Sequence, residues 1–125
     1  MAQIIVADDD KVTRVMIRAV LEADGHDLLE AQNGLECLRL LQTCSPDIII
    51  MDVFMPQMSG LEAVAAIRAK DKNIKIIGMS GGGEHGKTPY LNAILDSGAN
   101  MVVAKPIPSD QLKKLIAEVL DPPKD

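Results

Sequence analysis

Asp8-Asp9, Asp52, Ser80 and Lys105 each follow or close a short apolar run rich in β-branched residues. Runs of that kind read as strands, and in an open parallel sheet ligands bind beyond the carboxyl ends of the strands. Acid, hydroxyl and ammonium groups therefore converge on one edge. Three crowded carboxylates repel one another and need a cation or a proton to neutralise them. Few protein ligands, all hard oxygens, suit magnesium, which keeps several of its waters. A carboxylate can also attack phosphorus to give an aspartyl phosphate. Phosphoryl transfer then needs mainly positioning and charge stabilisation, which a metal and Lys105 supply. A lone Asp at a strand end is ordinarily a loop or helix-cap residue; the combination carries the reading.

The elements that must position these groups alternate along the chain. The sequence predicts strands at residues 3–7, 48–51, 74–79 and 101–104, with a weaker one at 27–31 suited to a sheet edge. Their continuous apolar character fits strands covered by helices on both faces. Val12, Val15, Met16, Ala19, Val20 and Ala23 form a helical stripe that Gly25 stops. Leu35, Leu38 and Leu41 mark a second helix with Asn33 as cap, and Leu61, Val64, Ala65 and Ile67 a third beginning near Ser59-Gly60. A shorter fourth helix runs over residues 90–97, entered through Thr88-Pro89 and ended by Gly98. Leu112, Leu115, Ile116 and Val119 mark a fifth, with Ser109 as cap and Asp121-Pro122-Pro123 as stop. Strict strand–helix alternation predicts a parallel α/β sheet. The whole chain, residues 1–125, is expected to form one domain, because it ends with the fifth helix.

Composition narrows the function. The net charge is -5 and there is no basic run, which argues against a nucleic-acid surface. No apolar run is long enough for a membrane helix. The start, Met1-Ala2-Gln3, lacks the regions of a signal peptide, so a cytoplasmic location is expected. Cys37 and Cys44, if on one helix, lie about 10 Å apart and cannot pair, so both are expected to be reduced.

Residues 5–10 (Ile-Val-Ala-Asp-Asp-Asp), 51–56 (Met-Asp-Val-Phe-Met-Pro), Met58-Ser59-Gly60, Ser80, Gly98-Ala99-Asn100 and Lys105-Pro106 together resemble the receiver domain of two-component response regulators over essentially the whole chain. The resemblance implies a flavodoxin-like (βα)5 fold, a three-layer sandwich around a five-stranded parallel sheet of order 2-1-3-4-5. It implies Asp52 as phosphoacceptor, and Asp9, Asp52 and the backbone carbonyl of Phe54 as magnesium ligands, with Asp8 holding a metal-bound water. Ser80 matches the hydroxyl that bonds the phosphoryl group, Lys105 the phosphate-binding lysine, and the Lys105-Pro106 bond is expected to be cis. The implied protein is a signalling phosphoacceptor rather than a turnover enzyme, catalysing its own phosphorylation and dephosphorylation. Its implied partners are a sensor histidine kinase or a histidine phosphotransfer protein and an unknown downstream protein.

The chain departs from the family pattern in three places. Val102 stands where the family usually has Tyr or Phe, three residues before the lysine; Ser59 replaces a common Asp; and the loop after Ser80 is longer and glycine-rich. With Val102 the usual aromatic rotation is lost, and residues 81–89 are expected to order inward on phosphorylation instead. The same loop matches the phosphate-loop pattern G-x-x-x-x-G-K-[ST]. Against an NTPase, Pro89 biases Thr88 away from helical geometry, and the later strand has no aspartate for a magnesium-binding partner motif. A phosphatase or phosphotransferase would need a cap or substrate pocket, for which the chain has no spare residues. The intact set of five residues argues against a degenerate receiver serving only as an interaction module. His26 and His85 read as solvated loop residues.

Overall fold

β1 (Gln3–Ala7), α1 (Lys11–Ala23), β2 (Asp27–Ala31), α2 (Gly34–Leu40), β3 (Ile48–Asp52), α3 (Gly60–Lys70), β4 (Lys75–Ser80), α4 (Thr88–Asp96), β5 (Met101–Ala104) and α5 (Ser109–Leu120) follow one another without a break in the alternation. The computed structural model describes residues 2–54, 58–81 and 88–121. All strands are parallel, in order β2-β1-β3-β4-β5, so the order reverses between β1 and β3. The predicted fold is the one observed, and strand boundaries agree to within a residue.

Alternation of side chains along each strand divides the core into two layers. Ile5, Ala7, Ile49, Met51 and Ile76 pack with Cys37, Val64, Ile67 and Ile94 on one face. Ile4, Val6, Ile48, Ile50, Ile77 and Met79 pack with Ile17, Leu21, Leu112 and Ile116 on the other. Both faces of the central strands are therefore apolar, which is why their sequences are continuous rather than alternating.

Local signals set the helix entries. Asp10 accepts from the Val12 N–H at the start of α1, Asn33 from the Glu36 N–H at the start of α2. Ser59 and Glu62 form a reciprocal capping box at α3, so the Ser that departs from the family pattern is a functional cap. Gly25 and Gly98 both have positive φ, 91° and 125°, closing α1 and α4 in the left-handed region.

Four local expectations are corrected. Most of the α1 stripe faces outward: Val12, Val15 and Met16 are 64%, 49% and 59% exposed, while Val20 packs partly on the core layer and Arg14, Ile17 and Leu21 face the sheet. The two faces lie side by side on the helix, and apolar periodicity alone favours the longer stripe. Leu35 is likewise exposed, and buried Cys37 takes the inward position on α2. Ser109 is the first residue of α5, not its cap; Pro108 holds that place without a side-chain bond. Cys37 and Cys44 do not share a helix, since α2 ends at Leu40; both are free.

Candidate phosphoacceptor site

The carboxyl ends of β1, β3, β4 and β5 bring the predicted residues together. Register places Ala7 beside Met51, Asp52 beside Met79, and Ser80 beside Ala104. One carboxylate oxygen from each of Asp8, Asp9 and Asp52 lies within 4.8 Å of the others. Asp8, Asp52 and Ser80 are buried, whereas Asp9 is exposed, so the cluster opens to solvent on one side.

Each acid is oriented by its neighbours. Asp8 N–H donates to the Ala31 carbonyl at 3.0 Å, and Asp8 Oδ1 accepts from Asp10 N–H at 2.9 Å. Lys105 Nζ approaches Asp8 Oδ2 at 2.7 Å as a charge contact, yet no donor is aligned to that buried oxygen among the described residues. Asp52 Oδ1 accepts from the Phe54 N–H at 3.0 Å, and its Oδ2 from Lys105 Nζ at 3.1 Å. Asp10, third in the acidic run, binds Val12 N–H and Thr13 Oγ1 and serves the helix start.

The charges are out of balance. Burial pushes the Asp52 carboxyl up, and the neighbouring Asp8 carboxylate adds to that; the Phe54 N–H and Lys105 offset only part of it. Burial alone would lower Lys105, but its contacts with Asp8 and Asp52 outweigh burial and raise it. One lysine thus contacts two of three clustered acids. A buried carboxylate oxygen without an aligned donor, beside two further carboxylates, fits a hard divalent cation.

Ser80 Oγ donates to the Gly81 carbonyl at 3.3 Å, a long bond that its hydroxyl can exchange for a ligand oxygen. Lys105 N–H donates to the Ser80 carbonyl at 2.8 Å, tying the two strand ends together, and the Lys105-Pro106 bond is cis as expected. Phe54 is at the rim, 37% exposed. Met55 and Pro56 of the motif, and residues 82–87 with the phosphate-loop pattern, lie outside the described residues. Val102 pairs with Gly78 and packs on the core layer of α2 to α4. Sequence reasoning did not single out Arg14 or Glu30; an arginine in step with Ile17 and Leu21 was the available signal.

A doubly wound sheet with acids at its topological switch point and a lysine from the last strand defines an α/β receiver. The chain belongs to the response regulator receiver domain family, whose pattern it matches over residues 4–117. It is 36% identical to the chemotaxis protein CheY of Listeria monocytogenes, over 90% of this chain and 92% of that one. It is 29% identical to sporulation initiation phosphotransferase F of Bacillus subtilis, over 94% and 93% respectively. The structure of the chemotaxis response regulator CheY4 of Vibrio cholerae superposes with a TM-score of 0.88 at 30% identity, covering 96% of this chain and 99% of that chain. In some longer solved chains the same fold makes up 27% of the length. The protein is a receiver of two-component signal transduction, a class that signals through phosphorylation. Among the described residues no helix is long and apolar enough to cross a membrane.

Proposed function

We propose that Asp52 accepts a phosphoryl group from phosphohistidine on a sensor histidine kinase or a histidine phosphotransfer protein, and that the resulting change of shape controls a protein target. The observation that carries this reading is the convergence of Lys105 Nζ on both Asp8 and Asp52, at 2.7 and 3.1 Å, in a cluster of three carboxylates. Asp9, Asp52 and the Phe54 carbonyl would hold magnesium directly, and Asp8 through a water. Magnesium, when bound, supplies positive charge to the phosphoryl oxygens. An Asp52 carboxylate oxygen forms the new O–P bond as the N–P bond of the donor breaks, and the imidazole departs with its electron pair. Lys105 then pairs with a phosphoryl oxygen in place of the Asp52 oxygen it contacts now. Ser80 turns its hydroxyl from the Gly81 carbonyl to the same group.

The open side of the cluster, at Asp9, suits a donor presented by another protein rather than a small substrate enclosed in a pocket. The same residues would serve hydrolysis of the aspartyl phosphate, making the domain a catalyst of its own phosphorylation and dephosphorylation. Family membership supports a cytoplasmic protein, and the acidic charge supports protein rather than nucleic-acid partners. Incubation with acetyl phosphate and magnesium should add one base-labile phosphoryl group, read by mass spectrometry. Asp52→Asn should abolish it; equal labelling of that variant would refute the assignment.

A further inference from the structure

Arg14 is a buried cation that the phosphoacceptor chemistry does not use. It is only 7% exposed, and a guanidinium cannot shed its charge, so its partners must compensate its burial. Nη1 donates to the main-chain carbonyl of Asp8 at 2.7 Å, and Nε donates to Glu30 Oε1 on β2 at 2.9 Å. The other Glu30 oxygen pairs with Arg18, which also donates to the Leu28 carbonyl at 3.2 Å but makes no bond to Asp8 among those described. Arg14 therefore ties α1 and β2 to the end of β1.

The Asp8 carbonyl belongs to the peptide plane that joins Asp8 to Asp9. With the Asp8 N–H and Oδ1 already bonded, the grip on this carbonyl sets the direction in which Asp9 leaves the strand. We propose that Arg14 is a positioning residue: it fixes the Asp8–Asp9 peptide so that the two carboxylates receive the cation in the right relative placement. This rests on the reading of Asp8, Asp9 and Asp52 as a divalent-cation site.

Positioning and simple electrostatics predict opposite signs. Removing a positive charge near the acids should tighten cation binding by Coulomb's law. Removing a residue that orients the ligands should weaken it.

The test is titration of the full chain with Mn2+ alone, following the free ion by electron paramagnetic resonance, with denaturant unfolding of each variant. Arg14→Gln should weaken Mn2+ binding by about ten-fold, the lower end for residues that orient metal ligands. Arg14→Lys keeps the charge but loses the fork that spans the Asp8 carbonyl and Glu30, and should also weaken binding; it carries the test if Arg14→Gln does not fold. Arg18→Gln removes a Glu30 partner without touching Asp8 and should leave Mn2+ affinity unchanged even where stability falls. Unchanged or tighter binding in the Arg14 variants, or an equal loss in Arg18→Gln, would overturn the positioning role. In the same series Asp9→Ala should abolish binding. If it does while the Arg14 variants bind normally, the cation site stands and the positioning role alone falls; if Asp9→Ala binds normally, both fall.

Discussion

Gly60 sits directly against Val53: its N–H donates to the Val53 carbonyl at 3.0 Å, and a Cβ built on it would lie 2.5 Å from the Val53 Cα. The neighbour is backbone, which cannot swing aside. This contact pins the first residue of α3 to the chain just beyond Asp52. Gly60→Ala should therefore cost about 1–3 kcal/mol, as overpacking does. Denaturant unfolding measures it, and a midpoint equal to that of the parent chain would contradict the close approach.

Acid stability should depend on Glu30. Burial pushes its carboxyl up, but hydrogen bonds from Arg14 and Arg18 outweigh burial and hold it below its ordinary value of 4.5. Because the folded value is the lower one, its contribution is fully present above pH 4.5 and is lost as pH falls through the folded value. Glu30→Gln should reduce stability at neutral pH and flatten its decline in acid. Parallel stability curves for the two proteins between neutral pH and acid would rule this out.

The two faces of α1 should respond oppositely to truncation. Ile17→Ala, in the layer against the sheet, should cost about 2–5 kcal/mol. Val12→Ser, on the outward apolar stripe, should change stability by less than about 0.5 kcal/mol. Comparable losses at both positions would contradict this division of faces, and a larger loss at Val12 would mean that the helix presents its other face to the sheet.

The cysteines should differ in reactivity. Burial pushes the Cys37 thiol up to about 12, so the thiolate that alkylation requires is scarce there. Cys44 is only partly buried. Iodoacetamide at mildly alkaline pH should modify Cys44 in the native protein and Cys37 only after unfolding, as peptide mapping would show. Equal native labelling would place Cys37 elsewhere.

The fold and the site were legible in the sequence for one reason: a parallel sheet writes its interior as unbroken apolar runs, and the polar residues that end those runs must lie at its carboxyl edge. Asp52 follows Ile48 to Met51, and Lys105 follows Met101 to Ala104, so their convergence needs only the strand order. The cap Asn33 was equally visible, because capping depends on neighbours in the chain, whereas Ser59 marked only where α3 begins. What only the tertiary structure decided is which side of each helix meets the sheet. Local periodicity on α1 favoured Val12, Val15 and Met16, yet burial chose Arg14, Ile17 and Leu21. That choice brings an always-charged arginine into contact with the Asp8 carbonyl and Glu30, partners 6 and 16 residues away. Composition counts Arg14 as surface charge; only its partners across β1 and β2 make its burial tolerable, and those partners exist once the strands have paired.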